Sequence, residues 1–401
     1  MRKHWLAGLA LFMCMACFDA CAEGVTLKTV SIFAGTDAAA DTYAELLKTW
    51  QDETGNTVSD MSATSDETWK MGVLKDFAAG NEADVLFFFA KTADSAAILS
   101  RVVPIAQINA AYPDLGLLES PAVAEHDGVV YAIPVRPFWE GLFCNADLFE
   151  RYGLELPTTW EKFEVAIKTF RKAGIVPIAV SLSDVPHYIA EFSILSAGGA
   201  QEHAARPKKG ERAPESWVEG MRMIRRLYQM GAFSEDVNAT TQAAASQLFL
   251  DKKAAMQVDG SWFANGLKPE NMDTTVVMPF PAYDENADPT AYIYGWSMGF
   301  YLTRSAWEDS ERRDAAVELL AYLSTGINAA ALGKYNISGK LLYSYNAMVN
   351  GARFKNLPIQ DSMQPDARGK WFASIPGIAD GSVDPVRMWE EIMAMDPFPS
   401  K

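Results

Sequence analysis

The sequence predicts an α/β fold divided into two lobes, on three observations. Short apolar runs alternate with helical patterns, the order expected of parallel sheets covered by helices. Some 380 residues, about two lobes' worth, remain after an N-terminal leader. That body retains one cysteine for certain, so its stability rests on core burial rather than on disulfide staples.

The elements follow in chain order. Arg2 and Lys3 precede an uncharged run over residues 5–18, and Ala20-Cys21-Ala22 ends it. A charged start, a short apolar centre and an A-x-A exit predict a signal peptide over residues 1–22, with Glu23 as the mature start. The run falls short of the roughly 20 apolar residues that a membrane span needs. A lipid anchor at Cys17, which follows Met15-Ala16, is the competing reading of the same segment. Cys144 stays in the body, where a free cysteine behaves as a small buried hydrophobe.

"VTLKTVSIFA", residues 25–34, reads as the first strand, with Val30 and Ile32 on one face. Tyr43, Leu46, Leu47 and Trp50 recur at helical spacing, and Gly55 stands where a C-terminal cap belongs. A second helix near residues 66–79 places Trp69, Val73 and Phe77 on one stripe. "ADVLFFFA", residues 83–90, is the continuous apolar run of a strand covered on both faces. "GVVYAIPV" and "GLFCNADLF" open the next unit. In "LPTTWEKFEVAIKTFRKAG", Thr158 and Glu161 fit a capping box, Trp160, Phe163, Ile167 and Phe170 face inward, and Gly174 stops the helix. "IVPIAV" is again strand-like, and the polar residues 201–216 form a surface excursion. Helices near 215–230 and 241–251 lead to "KAAMQVDGSW", a strand entering a turn. "TTVVMPFPAY" and "IYGWSMGFYLT" read as strands, "DAAVELLAYLS" as a helix, and the last seventy or so residues as helices joined by polar loops.

The formal net charge is −16; removing residues 1–22 takes away two positive charges and one negative, leaving −17. So acidic a body disfavours nucleic acid and anionic membrane as partners. Gly295-Trp296-Ser297-Met298-Gly299 matches the G-x-S-x-G nucleophile elbow. An elbow needs a helix directly after the serine, and here Phe300, Tyr301, Leu302 and Thr303 continue as strand. It also needs a later histidine, whereas His126, His187 and His203 all precede Ser297. No H-e-x-x-H, paired zinc-type cysteines, Walker loop or dinucleotide fingerprint is present in the sequence, so no metal or cofactor is expected. A carboxylate pair of the glycosidase type stays open on counting alone.

Several phrases then resemble, in order and over most of the mature chain, the extracellular solute-binding proteins of carbohydrate ABC importers, the family containing the maltose-binding protein. These are "LLKTWQDETG", "FAAGNEADVLFFFA" (with Ala83 where proline is usual) and "VYAIPV…GLFCNADLFERYGLELPTTWEKF". "LFLDKKAAMQVDGSW" and "YGWSMGFYLT" complete the series. The resemblance implies a periplasmic-binding-protein fold: two α/β lobes, a hinge and a ligand cleft between them. It implies capture of a sugar without chemistry, a membrane permease as partner, and an exported monomer. The expected division is a first lobe over 23–134, a second over 135–280, a return to the first over 281–330, and a helical segment, 331–401, mainly in the second. Crossings are expected at Pro134 and Pro137 and at Pro279 and Pro281, where extended connectors bend during closure.

A pyranose offers apolar C–H faces and a rim of hydroxyls, so aromatic plates and charged or amide groups suit it. Trp262 in "DGSW" and Trp296 in "YGW" are the expected platforms, with Tyr294 beside the latter and Phe138 or Trp139 as a third plate. Asp37, Arg136 and Glu140 are the expected hydroxyl partners, Lys91 a further polar candidate, and Trp371 with Arg368 an approach from the last helical segment. Glycine, helix-cap and core roles compete at these positions: Asp37 suits a cap, Arg136 and Glu140 suit each other, and Trp50, Trp160 and Trp217 sit on helix stripes as core. The same fold holding a charged non-sugar solute, and a secreted hydrolase using Ser297, are the alternative functions.

Overall fold

The apolar runs become the centres of two separate sheets. The computed structural model describes residues 24–35, 37–64, 67–90, 92–120, 125–296 and 298–398; the leader, Glu23, Lys91 and Ser297 lie outside them. The first sheet contains β1 (Thr26–Val30), β2 (Thr57–Asp60), β3 (Val85–Phe89) and β11 (Met298–Leu302), in the order β11-β3-β1-β2. Its first three strands are parallel, and β11 closes the edge antiparallel to β3. Helices Ala40–Thr54 and Glu67–Ala79 make the crossovers, the former stopped by Gly55 in the left-handed conformation (φ 74°). A two-strand hairpin, β4 (Glu125–His126) with β5 (Val129–Val130), precedes the passage to the second lobe.

The second sheet is built around β6 (Phe138–Asn145). It is flanked by β8 (Ala254–Gly260) with β7 (Val176–Ala179) on one side, and by β9 (Thr275–Met278) and β10 (Tyr292–Gly295), with β12 (Lys355–Asn356), on the other. Every residue of β8 is buried because helices cover both faces. On one face helices His187–His203, Glu215–Gln229 and Pro365–Asp380 form the main core. On the other, Gly339–Gly351 and Gln242–Leu250 enclose Trp139, Phe143 and Tyr292. Cys144 is fully buried in the main core, and burial pushes its thiol far up.

Several local expectations shift. The helix cap is Thr159, which accepts from the Lys162 backbone, rather than Thr158. The end of "GLFCNADLF" turns into helix Ala146–Arg151, and "DGSW" enters a short helix, Ser261–Asn265, rather than a plain turn. The expected single strand "IYGWSMGFYLT" is two: β10 belongs to the second sheet and β11 to the first. The chain is still in the second sheet at Gly295 and is in the first at Met298, beyond Pro279 and Pro281, because β10 pairs with β6 and β11 with β3. Ile133 bridges to Phe300 of the first sheet, and Phe138 opens β6 of the second. Leu332 packs in the first core and Leu341 against the second sheet, which places the last crossing between them.

Candidate ligand cleft

Strand direction decides which side chains face the space between the lobes. In the second lobe β7 and β8 run parallel and β6 antiparallel to β8. The loops leaving β7 and β8 thus meet the start of β6 at one end of the sheet. In the first lobe the parallel β1 and β3 lead to Asp37 and Asp94, and the antiparallel β11 starts at that same end, next to Trp296. Carboxyl ends of parallel strands are where open α/β sheets bind ligands.

The second lobe's end carries a wall of rings. Trp262, 41% exposed, lies 6.1 Å from Phe138 and 5.5 Å from Tyr188 between ring centroids. Tyr188 meets His187 edge-on at 4.6 Å, and His187 stacks on Phe372 at 4.6 Å. Glu140 lies opposite Gly260 in the ladder, so the two share a face. Gly260 has no side chain, and the Trp262 ring occupies the space a Cβ there would need, 2.4 Å away. The Trp262 plate therefore sits beside the Glu140 carboxylate.

Glu140 is 4% exposed, and its carboxylate accepts no hydrogen bond among the described residues. Burial raises it well above the usual carboxylate range, and the charges of Glu191, Asp361 and Asp259 add to that rise. Asp259 is pushed up to about 6 by burial, against hydrogen bonds from the Gly260 amide (2.8 Å), Gln257 (2.7 Å) and Gln242 (2.6 Å) and from Trp262. Asp361, half-buried, is pushed up to about 7 by burial and then by Glu191, with Arg368, Arg206 and Lys70 opposing. Burial, with the charges of Arg368 and Lys70, pushes His187 down to about 3, and its Nδ1 is buried without a partner.

Arg368 links the lobes. From the second core's helix Pro365–Asp380 its guanidinium donates to both Asp94 oxygens, at 3.0 and 3.2 Å, and Lys70 lies 3.4 Å from the same carboxylate. Burial works to raise Asp94, but Arg368 and then Lys70 hold it below its usual value.

The structure brings some of the expected residues together and disperses others. Phe138, Glu140 and Trp262 meet at the ring wall. Trp139 does not: it is 1% exposed, on the opposite face of β6, stacked on Phe143, because successive side chains of a strand alternate. Trp371 is fully buried, packed on Trp389 at 5.4 Å within the second core; the helix turns it inward while Arg368, one turn earlier, faces the other lobe. Asp37 and Arg136 pair with each other (2.7 and 3.3 Å), Arg136 also lying over the Phe33 ring and Asp37 capping Ala39. Arg136 thus finds Asp37 rather than Glu140. Tyr294 faces Trp139's side of the sheet, with Lys355 above its ring at 5.1 Å. Burial raises its phenol, and a hydrogen bond with Trp296 opposes the rise. Trp296 is half-buried against the first core. Trp50 and Trp217 are core, and Trp160 is half-buried. Tyr188, His187 and Asp361 were not singled out as ligand groups. Only position could have flagged Tyr188, a few residues beyond the "IVPIAV" strand.

Among the described residues no group of three or more His, Cys, Asp or Glu side chains is placed to hold a metal ion. No single helix among them is long and apolar enough to cross a membrane, although the bent pair Arg313–Ser324 and Gly326–Gly333 passes that test by length and composition.

The family model of the bacterial extracellular solute-binding proteins matches residues 35–325. The melibiose/raffinose/stachyose-binding protein MelE of Bacillus subtilis (strain 168) is 23% identical over 216 residues, 52% of this chain and 50% of that protein. The chain thus spans about half the length of this relative, and 36% of the multiple sugar-binding protein of Streptococcus mutans. A chitin oligosaccharide binding protein superposes with a TM-score of 0.78 at 19% identity, over 93% of this chain and 98% of that one. The Thermus thermophilus maltotriose binding protein does so with 0.70 at 17%, over 92% and 98%. The two-lobed fold is thus that of solute receptors, and a single family model runs through both lobes and two of the crossings between them: the chain belongs to the bacterial extracellular solute-binding proteins.

Proposed function

We propose that the protein captures a sugar or oligosaccharide outside the cytoplasm by closure of its two lobes and delivers it, unaltered, to the membrane subunits of an ABC importer. The observation that carries this reading is the half-exposed Trp262 plate beside Glu140, at the end of the sheet that faces the first lobe. An indole covers the C–H face of a pyranose, and a desolvated carboxylate accepts from its hydroxyls. The names of the relatives point to the same ligand class. Trp296, half-buried where the chain passes between lobes, is the proposed second plate, reporting closure as much as contact.

The mature chain acts as a soluble monomer in this reading. Mass spectrometry of the exported protein checks that, a lipid on Cys17 being the outcome that replaces free export with tethering. Titration with melibiose, raffinose, stachyose and maltotriose, followed by tryptophan fluorescence and calorimetry, tests the function. Saturable binding without bond cleavage is expected, and Trp262→Ala should weaken it at least tenfold, about 1.4 kcal/mol. Binding of charged solutes alone, or turnover of a glycoside, would replace the proposal.

A further inference from the structure

We infer that the second-lobe half of the cleft is built for a sugar carrying a protonated amine, whose ammonium group sits against Glu140 within the box of Phe138, Tyr188 and Trp262. This deepens the carbohydrate reading and rests on it.

Three observations carry the assignment. Glu140 is almost wholly removed from solvent, yet no donor meets it among the described residues. Nearby acids do not share that condition equally. Asp259 is saturated by an amide and two glutamines, and Glu191 by His203 (2.8 Å) and by the backbone amides of Ile359 and Gln360 (3.0 Å each). Asp361 also meets no donor among the described residues, but the charges of Arg368, Arg206 and Lys70 act in its favour, whereas those acting on Glu140, of Glu191, Asp361 and Asp259, are all negative. Arg368, the cation nearest to this wall by its effect on His187 and Asp361, is held by Asp94.

The second observation is the surroundings. Phe138 is two residues from Glu140 on the same strand face. Trp262 covers Gly260 beside it, and Tyr188 stands 5.5 Å from the Trp262 ring. Several aromatic faces around one carboxylate make the arrangement that recognises ammonium groups, by ring quadrupole and charge together. The third is the ion balance. Burial and its acidic neighbours favour the protonated form of Glu140, and a neutral hydroxyl offsets only part of the cost of ionising it there. An ammonium supplies both the donors and the opposite charge.

The probes are the glucosamine trimer with free amines, its fully N-acetylated counterpart, raffinose and spermidine, titrated calorimetrically at pH 6.5 into the mature chain. The free-amine trimer should bind at least tenfold more tightly than the acetylated one. In Glu140→Gln, judged by its thermal melt to be folded, that preference should collapse to within about threefold, less than 1 kcal/mol. A measurement independent of any variant uses tetramethylammonium chloride, which should displace the free-amine trimer where the same concentration of potassium chloride does not.

Equal or tighter binding of the acetylated trimer or of raffinose would overturn the inference and leave the carbohydrate reading standing. Spermidine binding that Glu140→Gln weakens, with no sugar bound, would keep the cation site and remove the carbohydrate reading. No binding of either amine probe would overturn the inference outright.

Discussion

Asp361 shows how a single desolvated acid changes stability with pH. Its folded-state value is raised from 3.8 to about 7, so between those limits the folded chain holds a proton that the unfolded chain has released. The stabilising contribution is complete below about 4 and is lost as the pH rises through 7. Asp361→Asn removes the charge that must otherwise be buried at high pH. The variant should melt above the parent at pH 8 by about 2–4 °C, the shift that roughly 1 kcal/mol brings in a domain of this size. The difference should vanish towards pH 4, as differential scanning fluorimetry across that range will show. His187 acts in the opposite sense: with its value lowered to about 3, acidification below 6.5 protonates the unfolded chain first and destabilises the fold. Neither residue was legible from pattern, because the charges of Glu191 on Asp361, and of Arg368 and Lys70 on His187, come from more than a hundred residues away in the chain.

At the scale of the element, the informative unit is the β8-to-helix junction. The phrase "DGSW" marked Trp262, but not why the glycine precedes it. Gly260 lets the ring fold back on the sheet, beside the opposing Glu140. Gly260→Ala would place a methyl 2.4 Å from the indole atoms and force it off its seat. The expected result is a loss of sugar affinity of at least tenfold, read by calorimetry, with a stability cost on the order of 1–3 kcal/mol for overpacking. Unchanged affinity would show that the plate's seat does not matter to the ligand. The β10–β11 junction teaches a converse lesson. Its residues alternate correctly for strand throughout, so the pattern gives one strand. The chain nevertheless changes sheets in the middle, because β10 pairs with β6 and β11 with β3.

For the whole molecule, the two cores are joined by connectors and by the Arg368–Asp94 contact. Both partners are nearly buried, with Lys70 close by. Arg368→Met removes one side of a buried pair. Its cost should fall near the lower end of the roughly 3–5 kcal/mol typical of such a break, since Lys70 remains beside Asp94. Denaturant melts measure that cost. Small-angle scattering of the unliganded variant should give a larger radius of gyration than the parent, and an identical profile would mean that the contact does not hold the lobes together.

The leader, the alternation of strands and helices and the family phrases are local features, written in consecutive residues, and they were enough for the class of fold and for Trp262, Phe138 and Glu140 as candidates. Position in space was another matter. Trp139 and Trp371 carry the same ring as Trp262, yet one lies on the far face of β6 and the other on the inward side of a helix, both packed in core. Asp37 and Arg136 answer each other's charge. Burial and pairing are sums over residues distant in the chain, so only the tertiary arrangement could separate the ring that faces the cleft from those that hold the lobes together.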